Sequence, residues 1–431
     1  MQNAKNMRSY EAAVEYVEDL EFFGIKFGLN NITSLLAALG NPHLSFRSVH
    51  VAGTNGKGSV SAMLSAIYCA AGYKVGLYTS PHLASIRERF RINESLITEE
   101  QFQEIARQTK AVLPETVPIT FFEFTTAMAF LFFAREEVDL AIVETGLGGR
   151  LDATNVICPD LGVITNISRD HEAHLGRSLT GITREKAGII KRGSNLITGI
   201  HQPGLLNIVQ VACLAHDCPI YVFGQDFRIR RANNDKFSYQ GVWRKFDGLE
   251  IGLRGAHQIH NAALALAATE NMNEKGRPVS EDSLRTGLKR VIWPGRQEIF
   301  RNNPPFLLDG AHNPGGIKTL CRSLAKDYVF SRLILIWGGM ADKDHYGMLK
   351  EIAPMAHTIV LTKPKYRRSA DPADLAMQLG FFHGAINLTS NIAEAISRAE
   401  SLAEENDLIC IAGSLYLIGE AREILAQGNG S

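Results

Sequence analysis

Along this chain the spacing of hydrophobic positions switches repeatedly between a period of two and a period near 3.6. Tyr10 to Leu20 and Ile32 to Leu39 carry apolar residues at helical spacing, with Gly28-Leu29-Asn30-Asn31 as the turn and Asn41-Pro42 as the stop. A β-branched run, Val49 to Val51, gives way to Gly53-Thr54-Asn55-Gly56-Lys57-Gly58, and helical spacing returns in Val60, Met63, Leu64 and Ile67. Lys74 to Thr79 predicts a short strand that Ser80-Pro81-His82 ends. Glu123 to Glu136 predicts an apolar helix. Val138 to Glu144 predicts a strand buried on both faces, because Leu, Ala, Ile and Val stand together before the acid. Strand signals recur at Leu161–Thr165, Leu196–Ile200 and Ile220–Phe223, with helices at Ser178–Ile190 and between the last two strands. The run Arg87 to Asn93 alternates charge without core periodicity and reads either as a solvated face or as a substrate-contacting loop.

Residues 226–254 are more polar and alternating, which suggests a small antiparallel insert, and His257 to Ala268 restores a helix. Regular structure breaks near Gly287–Arg296, at Trp293-Pro294-Gly295-Arg296. Beyond it, strands at Phe306–Asp309, Leu333–Trp337, Thr358–Thr362 and Leu408–Ala412 alternate with helices. The expected class is therefore α/β, with two domains. Residues 1–294 form a P-loop-type, mostly parallel sheet domain with a small β insert, and residues 295–431 a Rossmann-like α/β domain.

Composition narrows the function classes. The 431 residues are 45% hydrophobic, enough for a large core, and Lys plus Arg equals Asp plus Glu at 45 each, so no global field favours nucleic acid or an anionic membrane. Cys69, Cys158, Cys213, Cys218, Cys321 and Cys410 are scattered without metal-ligand spacing, the usage of a reduced compartment. Neither a signal-peptide pattern nor an apolar run long enough to span a bilayer is visible. A soluble, cytoplasmic, monomeric protein without nucleic-acid or membrane partners is expected.

Strand, glycine loop and helix in that order are what a phosphate cradle requires: glycines let backbone N–H groups converge on an anion, and the helix N-terminus and Lys57 add positive charge. Such a loop can also be no more than a tight turn, and its spacing is not that of a Walker loop, since Gly58 stands where a hydroxyl would follow the lysine. Glu144 reads as a Walker-B-like carboxylate or as an exposed strand-end acid. A second glycine loop, Gly146-Leu147-Gly148-Gly149-Arg150-Leu151-Asp152, follows it. His171 is a ligand or a structural histidine, beyond a strand expected to lie beside that of Glu144. On periodicity alone Lys186 reads as a solvent-facing helical lysine.

Seven segments, in order, resemble the folylpolyglutamate synthase and dihydrofolate synthase family, a branch of the Mur ligase superfamily. They are Leu39-Gly40-Asn41-Pro42-His43, His50 to Ser59, Thr79 to Leu83, Glu144 to Asn155, Glu185 to Ile190, Trp293 to Arg296 and Leu308 to Pro314. The resemblance implies an ATP-dependent ligase that adds L-glutamate to dihydropteroate, to tetrahydrofolate (poly)glutamates or to both, through an acyl phosphate. It implies ATP contacts from Gly53, Thr54, Asn55, Gly56, Lys57, Gly58, Ser59, Asn261, Arg296 and Asp309. Two Mg²⁺ ions would be held by Ser80, Glu144, His171 and a carbamylated Lys186, with Lys57, Lys186 and His171 serving catalysis, and a monovalent cation is left open. His82, Arg89, Phe122, Phe124 and Asp152 would face the pterin-bearing substrate, and His312 and Ser414 the incoming glutamate. Two alternatives stand beside this reading: a Mur-type ligase acting on a cell-wall nucleotide peptide, and an ATP-dependent switch or binding protein that does not ligate.

Overall fold

A computed structural model describes residues 7–24, 28–113, 117–231, 236–300 and 303–428, which divide into two compact units. The first comprises Met1–His82, Ile86–Gly252 and Gln258–Ile292, and the second Leu83–Ser85, Leu253–His257 and Trp293–Ser431.

The first unit is built on an eight-stranded sheet. Its strands are β1 (Arg47–Ala52), β2 (Val75–Tyr78), β3 (Phe90–Ile92), β4 (Ser95–Leu96), β5 (Leu140–Glu144), β6 (Leu161–Ile164), β7 (Asn195–Thr198) and β8 (Ile220–Val222), ordered β4-β3-β2-β5-β1-β6-β7-β8. All neighbours run parallel except at the β2–β3–β4 edge. Every residue of β5 is buried, as are five of the six in β1, because helices cover both faces of the sheet centre. The register sets Val51 opposite Glu144 and Tyr78 opposite Val143, so the loops that carry chemistry leave one edge.

Two local expectations need correction, and one element was missed. β6 pairs with β1, not with β5, so β1 stands between Glu144 and the strand leading to His171. The charged run 87–93 is neither a simple solvated face nor a loop. It forms a 3-10 turn, Ile86–Arg89, and then β3 paired with β2, with Phe90 fully buried. Three residues are too few to show a strand period in the sequence. A helix at Glu99–Ala111 also escaped the sequence reading; Thr98 and Gln101 form a capping box, and Phe102, Ile105, Ala106 and Thr109 make its buried stripe.

The insert is a separate antiparallel sheet of β9 (Arg228–Arg231), β10 (Phe237–Gln240) and β11 (Lys245–Leu249). Glu270 anchors it from the helix Ala256–Glu274, accepting from Tyr239 Oη and Val242 N at 3.2 Å each. Gly287 lies inside the helix Glu281–Arg290, where a Cβ would fall 2.5 Å from Ile67 Cα. That glycine therefore marks a close helix–helix approach.

The second unit holds β12 (Glu298–Phe300), β13 (Phe306–Asp309), β14 (Leu333–Trp337), β15 (Thr358–Leu361), β16 (Ala385–Leu388) and β17 (Leu408–Ala412), ordered β12-β13-β17-β14-β15-β16. Only β12 is antiparallel to its neighbour. Strand alternation sorts its core into two clusters. Leu307, Leu335, Ile359 and Cys410 belong to one, and Phe306, Leu308, Ile334, Val360 and Ile409 to the other. The two mostly parallel α/β sheets and the small β insert match the expected fold class.

Candidate active site

The loop between β1 and the helix Lys57–Ala70 owes its shape to two glycines. Gly53 has φ +147° and a Cβ there would lie 1.8 Å from Thr165 Oγ1; Gly56 has φ +87° and a Cβ there would lie 2.5 Å from Asn261 Oδ1. The segment after β6 straps the loop down. Thr54 N donates to Asn166 O and Asn55 N to Asn166 Oδ1, both at 3.0 Å, while Asn55 O accepts from Thr165 Oγ1 at 2.7 Å and Asn166 Nδ2 at 2.8 Å. No side chain caps the helix N-terminus at Gly56. The first-turn amides of Lys57, Gly58 and Ser59 therefore have no side-chain cap, the arrangement a phosphate cradle would need. Asn261 donates to Gln258 Oε1 at 2.9 Å and turns its own carbonyl oxygen toward Gly56.

Cations and an acid converge beside this cradle. Glu144 is 4% exposed, its Oε1 3.9 Å from Lys57 Nζ, and its Oε2 accepts from Ser80 N at 3.4 Å. Lys186 is buried, contrary to the solvent-facing position its periodicity suggests, and its Nζ donates to Gly53 O at 2.7 Å. Burial, reinforced by the Lys57 charge, lowers its pKa to about 7, with Asp170 and Asp152 opposing the shift. Asp170 is thus a member of this electrostatic group that the sequence reading did not single out. The next residue, His171, sits at φ +52° and its Nε2 is 3.9 Å from Asp170 Oδ2. Among the described residues no group of three or more His, Cys, Asp or Glu is spaced to hold a metal. The set expected from the resemblance contains only two such side chains, Glu144 and His171, and draws its other ligands from a hydroxyl and a modified lysine. Ser80, Glu144, Lys57 and Lys186 meet at one edge of the sheet; the Glu144 carboxylate and the Ser80 hydroxyl are oxygen donors of the kind a hard cation takes, and Lys186 would join them only as a carbamate.

The second glycine loop is bound into the protein. Asp152 accepts from Leu147 N at 2.7 Å, from Thr154 N at 3.0 Å and from the Thr154 hydroxyl, which also bonds His50 Nε2 at 2.8 Å. Arg150 N donates to Glu185 O at 2.7 Å, and Asn155 Nδ2 reaches both Arg150 O and Gly188 O. The carboxylate of Asp152, expected at the substrate, thus also shapes this loop. The contacts also explain why the segments 144–155 and 185–190 accompany each other: together they hold Lys186 at the cradle. His50 is fully buried and desolvation pushes its pKa down to about 3.

Of the residues expected at the pterin, Phe122 lies half-buried with its ring over Gly146, where a Cβ would come within 2.4 Å. Phe124 is a correction. It is fully buried and packs edge-on against Tyr16 at 5.6 Å in the core, two residues along from Phe122 and so roughly on the opposite side of the helix. Arg89 is 5% exposed; its Nε donates to His82 Nδ1 at 2.9 Å and its guanidinium lies 4.9 Å over the Phe121 ring. Burial and the Arg89 charge hold His82 neutral, with a pKa of about 3.

In the second unit, Asp309 closes β13 and accepts from Gln297 N at 3.1 Å and Ala311 N at 2.8 Å, while burial raises its pKa against the charge of Arg296. Gly310 leaves room for the Arg296 guanidinium, 3.0 Å from where a Cβ would stand. His312 Nδ1 bonds Gly310 O at 2.8 Å. Ser414 is buried, with its Oγ accepting from Tyr416 N at 3.2 Å, so its hydroxyl opens a helix.

Residues 51–269 match the Mur ligase middle domain and residues 295–415 the Mur ligase glutamate ligase domain. The cradle, buried lysine and second α/β unit are therefore those of a Mur ligase, an amide-bond-forming class of enzyme. Similarity extends over nearly the whole chain to the dihydrofolate synthase/folylpolyglutamate synthase of Bacillus subtilis, 34% identical over 97% of this chain and 99% of that protein. The corresponding Escherichia coli protein is 30% identical over 96% and 94%. A folylpolyglutamate synthase structure from Mycobacterium tuberculosis, complexed with ADP and AMPPCP, superposes with a TM-score of 0.90 at 33% identity, covering 96% of this chain and 99% of that one. The chain belongs to the dihydrofolate synthase/folylpolyglutamate synthase family. No helix among the described residues is long and apolar enough to cross a membrane.

Proposed function

We propose that this protein joins L-glutamate to dihydropteroate, to tetrahydrofolate (poly)glutamates or to both, at the expense of ATP. The observation that carries the reading is the convergence of Lys57, Glu144 and buried Lys186 on the Gly53–Gly56 cradle. Relatives support it: solved structures include an E. coli protein with DHPP and ADP and a Yersinia pestis one with Mn, AMPPNP and L-glutamate.

A carboxylate is a poor electrophile, so the acceptor carboxylate first attacks the γ-phosphorus of ATP and ADP leaves. The α-amine of glutamate then attacks the acyl carbon and phosphate departs. Phosphoryl transfer asks mainly for alignment and charge neutralisation. The free amides at the start of the helix Lys57–Ala70 and the Lys57 ammonium answer that need at the phosphates. Ser80 and Glu144 would hold one Mg²⁺, and Glu144, His171 and carbamylated Lys186 a second. When bound, these ions supply Lewis-acid stabilisation of the transferring phosphoryl group. With its pKa at about 7, Lys186 presents a large fraction of free amine at neutral pH. That amine can attack CO₂, forming an N–C bond and releasing a proton, which turns a cation into an oxygen ligand. In the second unit, His312, fixed through Nδ1 on Gly310 O, would face the incoming glutamate.

Incorporation of labelled glutamate with dihydropteroate and tetrahydrofolate side by side, following ADP and phosphate, tests the reading. Glutamate-dependent ADP release with either acceptor supports it. ATP hydrolysis indifferent to glutamate would instead fit a nucleotide switch, and ligation only of a UDP-muramoyl substrate the cell-wall alternative. The same assay in potassium-free buffer examines the monovalent cation.

A further inference from the structure

Arg89 and its neighbour Arg87 meet different fates. Arg87 is neutralised by Glu99 at 3.0 Å and donates to Ile97 O at 2.7 Å. Arg89 is more deeply buried, and among the described residues no carboxylate lies within ion-pair distance of it. Its side-chain partners, the His82 ring and the Phe121 face, fix the guanidinium but bring no negative charge. Burying a cation without a counterion is costly, and a guanidinium held by Nε and by its face still offers two amino groups in a fork that matches a carboxylate.

The main chain places this fork. Thr79 N donates to Arg89 O at 3.4 Å, Phe90 stands opposite Tyr78, and Ser80 follows with its amide on Glu144. An anion on Arg89 would therefore sit next to the activation site without sharing the Glu144–Lys57–Lys186 group. The candidate acceptors differ in this chemistry. Dihydropteroate has a single carboxylate, the one that reacts. An acceptor already ending in glutamate carries a second carboxylate on the adjoining carbon chain, which does not.

We propose that Arg89, oriented by His82 and Phe121, binds the non-reacting α-carboxylate of a glutamyl acceptor and so favours acceptors that already carry glutamate over the pteroate acid. This rests on the ligase reading above. The test measures kcat/KM of the wild type and of Arg89→Met with dihydropteroate, with monoglutamyl tetrahydrofolate, and with the analogue whose α-carboxylate is a carboxamide. Loss of a buried charge partner predicts that the substitution moves the ratio of the two natural acceptors by about 100-fold toward dihydropteroate. It also predicts that the wild type discriminates against the carboxamide while the variant does not. A merely structural defect would lower both acceptors together, so an unchanged ratio overturns the proposal. Wild-type indifference to the carboxamide, or no use of tetrahydrofolate, overturns it too. Failure of the wild type to ligate glutamate to either acceptor would overturn the ligase reading itself, and the proposal with it.

Discussion

The two glycine-rich loops of the first unit look alike in composition and are built for opposite tasks. In the loop at Gly53–Gly58 the backbone oxygens and side chains are strapped to Thr165–Ser168, while the N–H groups at the helix entrance stay uncapped. In the loop at Gly146–Asp152 the N–H groups are consumed internally, by Asp152 on Leu147 and by Glu185 O on Arg150. One loop leaves the donors at its helix entrance uncapped; the other clamps the helix that delivers Lys186. Glycine is needed in both because something approaches too closely for a Cβ, a hydroxyl at Gly53 and a carbonyl at Gly149.

Breaking the first loop should have the largest effect. Lys57→Ala and Glu144→Ala are each expected to reduce kcat/KM by about 10³-fold or more with an unchanged melting temperature, because they remove charge stabilisation at the phosphates rather than packing. Full activity in either would contradict the assigned roles. Next comes the lysine held by the clamp. Lys186→Ala should lose about 10²-fold or more in kcat and recover in part with added small carboxylic acids, which can stand in for a carbamate oxygen. A variant as active as the wild type would remove the carbamate. Gly149→Ala sharpens the contrast from the other side. Its Cβ would fall 2.7 Å from Glu185 O, so a loss of about 1–3 kcal/mol in urea-unfolding stability is expected. Its nucleotide affinity should survive far better than that of Gly53→Ala, where the clash is with Thr165 at 1.8 Å.

The smallest effect concerns His50, beneath the second loop. Its folded pKa of about 3 lies below the unfolded value, so the unfolded chain binds the extra proton between roughly pH 6.5 and 3. His50 therefore costs stability as pH falls through that window, by at most about 1.4 kcal/mol per pH unit. His50→Gln should flatten the pH dependence of the urea midpoint between pH 7 and 5. An equally steep dependence would show that His50 is not the group being protonated.

Much of the chemistry of each unit could be read before any fold was known. Gly53, Gly56, Lys57, Glu144 and Asp309 stand at strand ends, where local pattern and position along the chain carry the information. Other features could not be read that way. Lys186 has the spacing of an exposed helical lysine, and only the packing of its helix against the Gly53 carbonyl buries it. Asp170 enters the site because the β6 loop folds over the cradle. Phe122 and Phe124 are two residues apart on one helix, and the tertiary contacts with Gly146 and Tyr16 decide which is core.

By itself the sequence determined the alternation of strands and helices, the two glycine loops and the family resemblance, since all of these rest on short-range spacing. The tertiary structure alone decided the insertion of β1 between β5 and β6, the burial of Lys186 and the isolation of the Arg89 charge. Strand order and burial depend on partners dozens to more than a hundred residues away, and desolvation acts on a side chain only once those partners have closed around it.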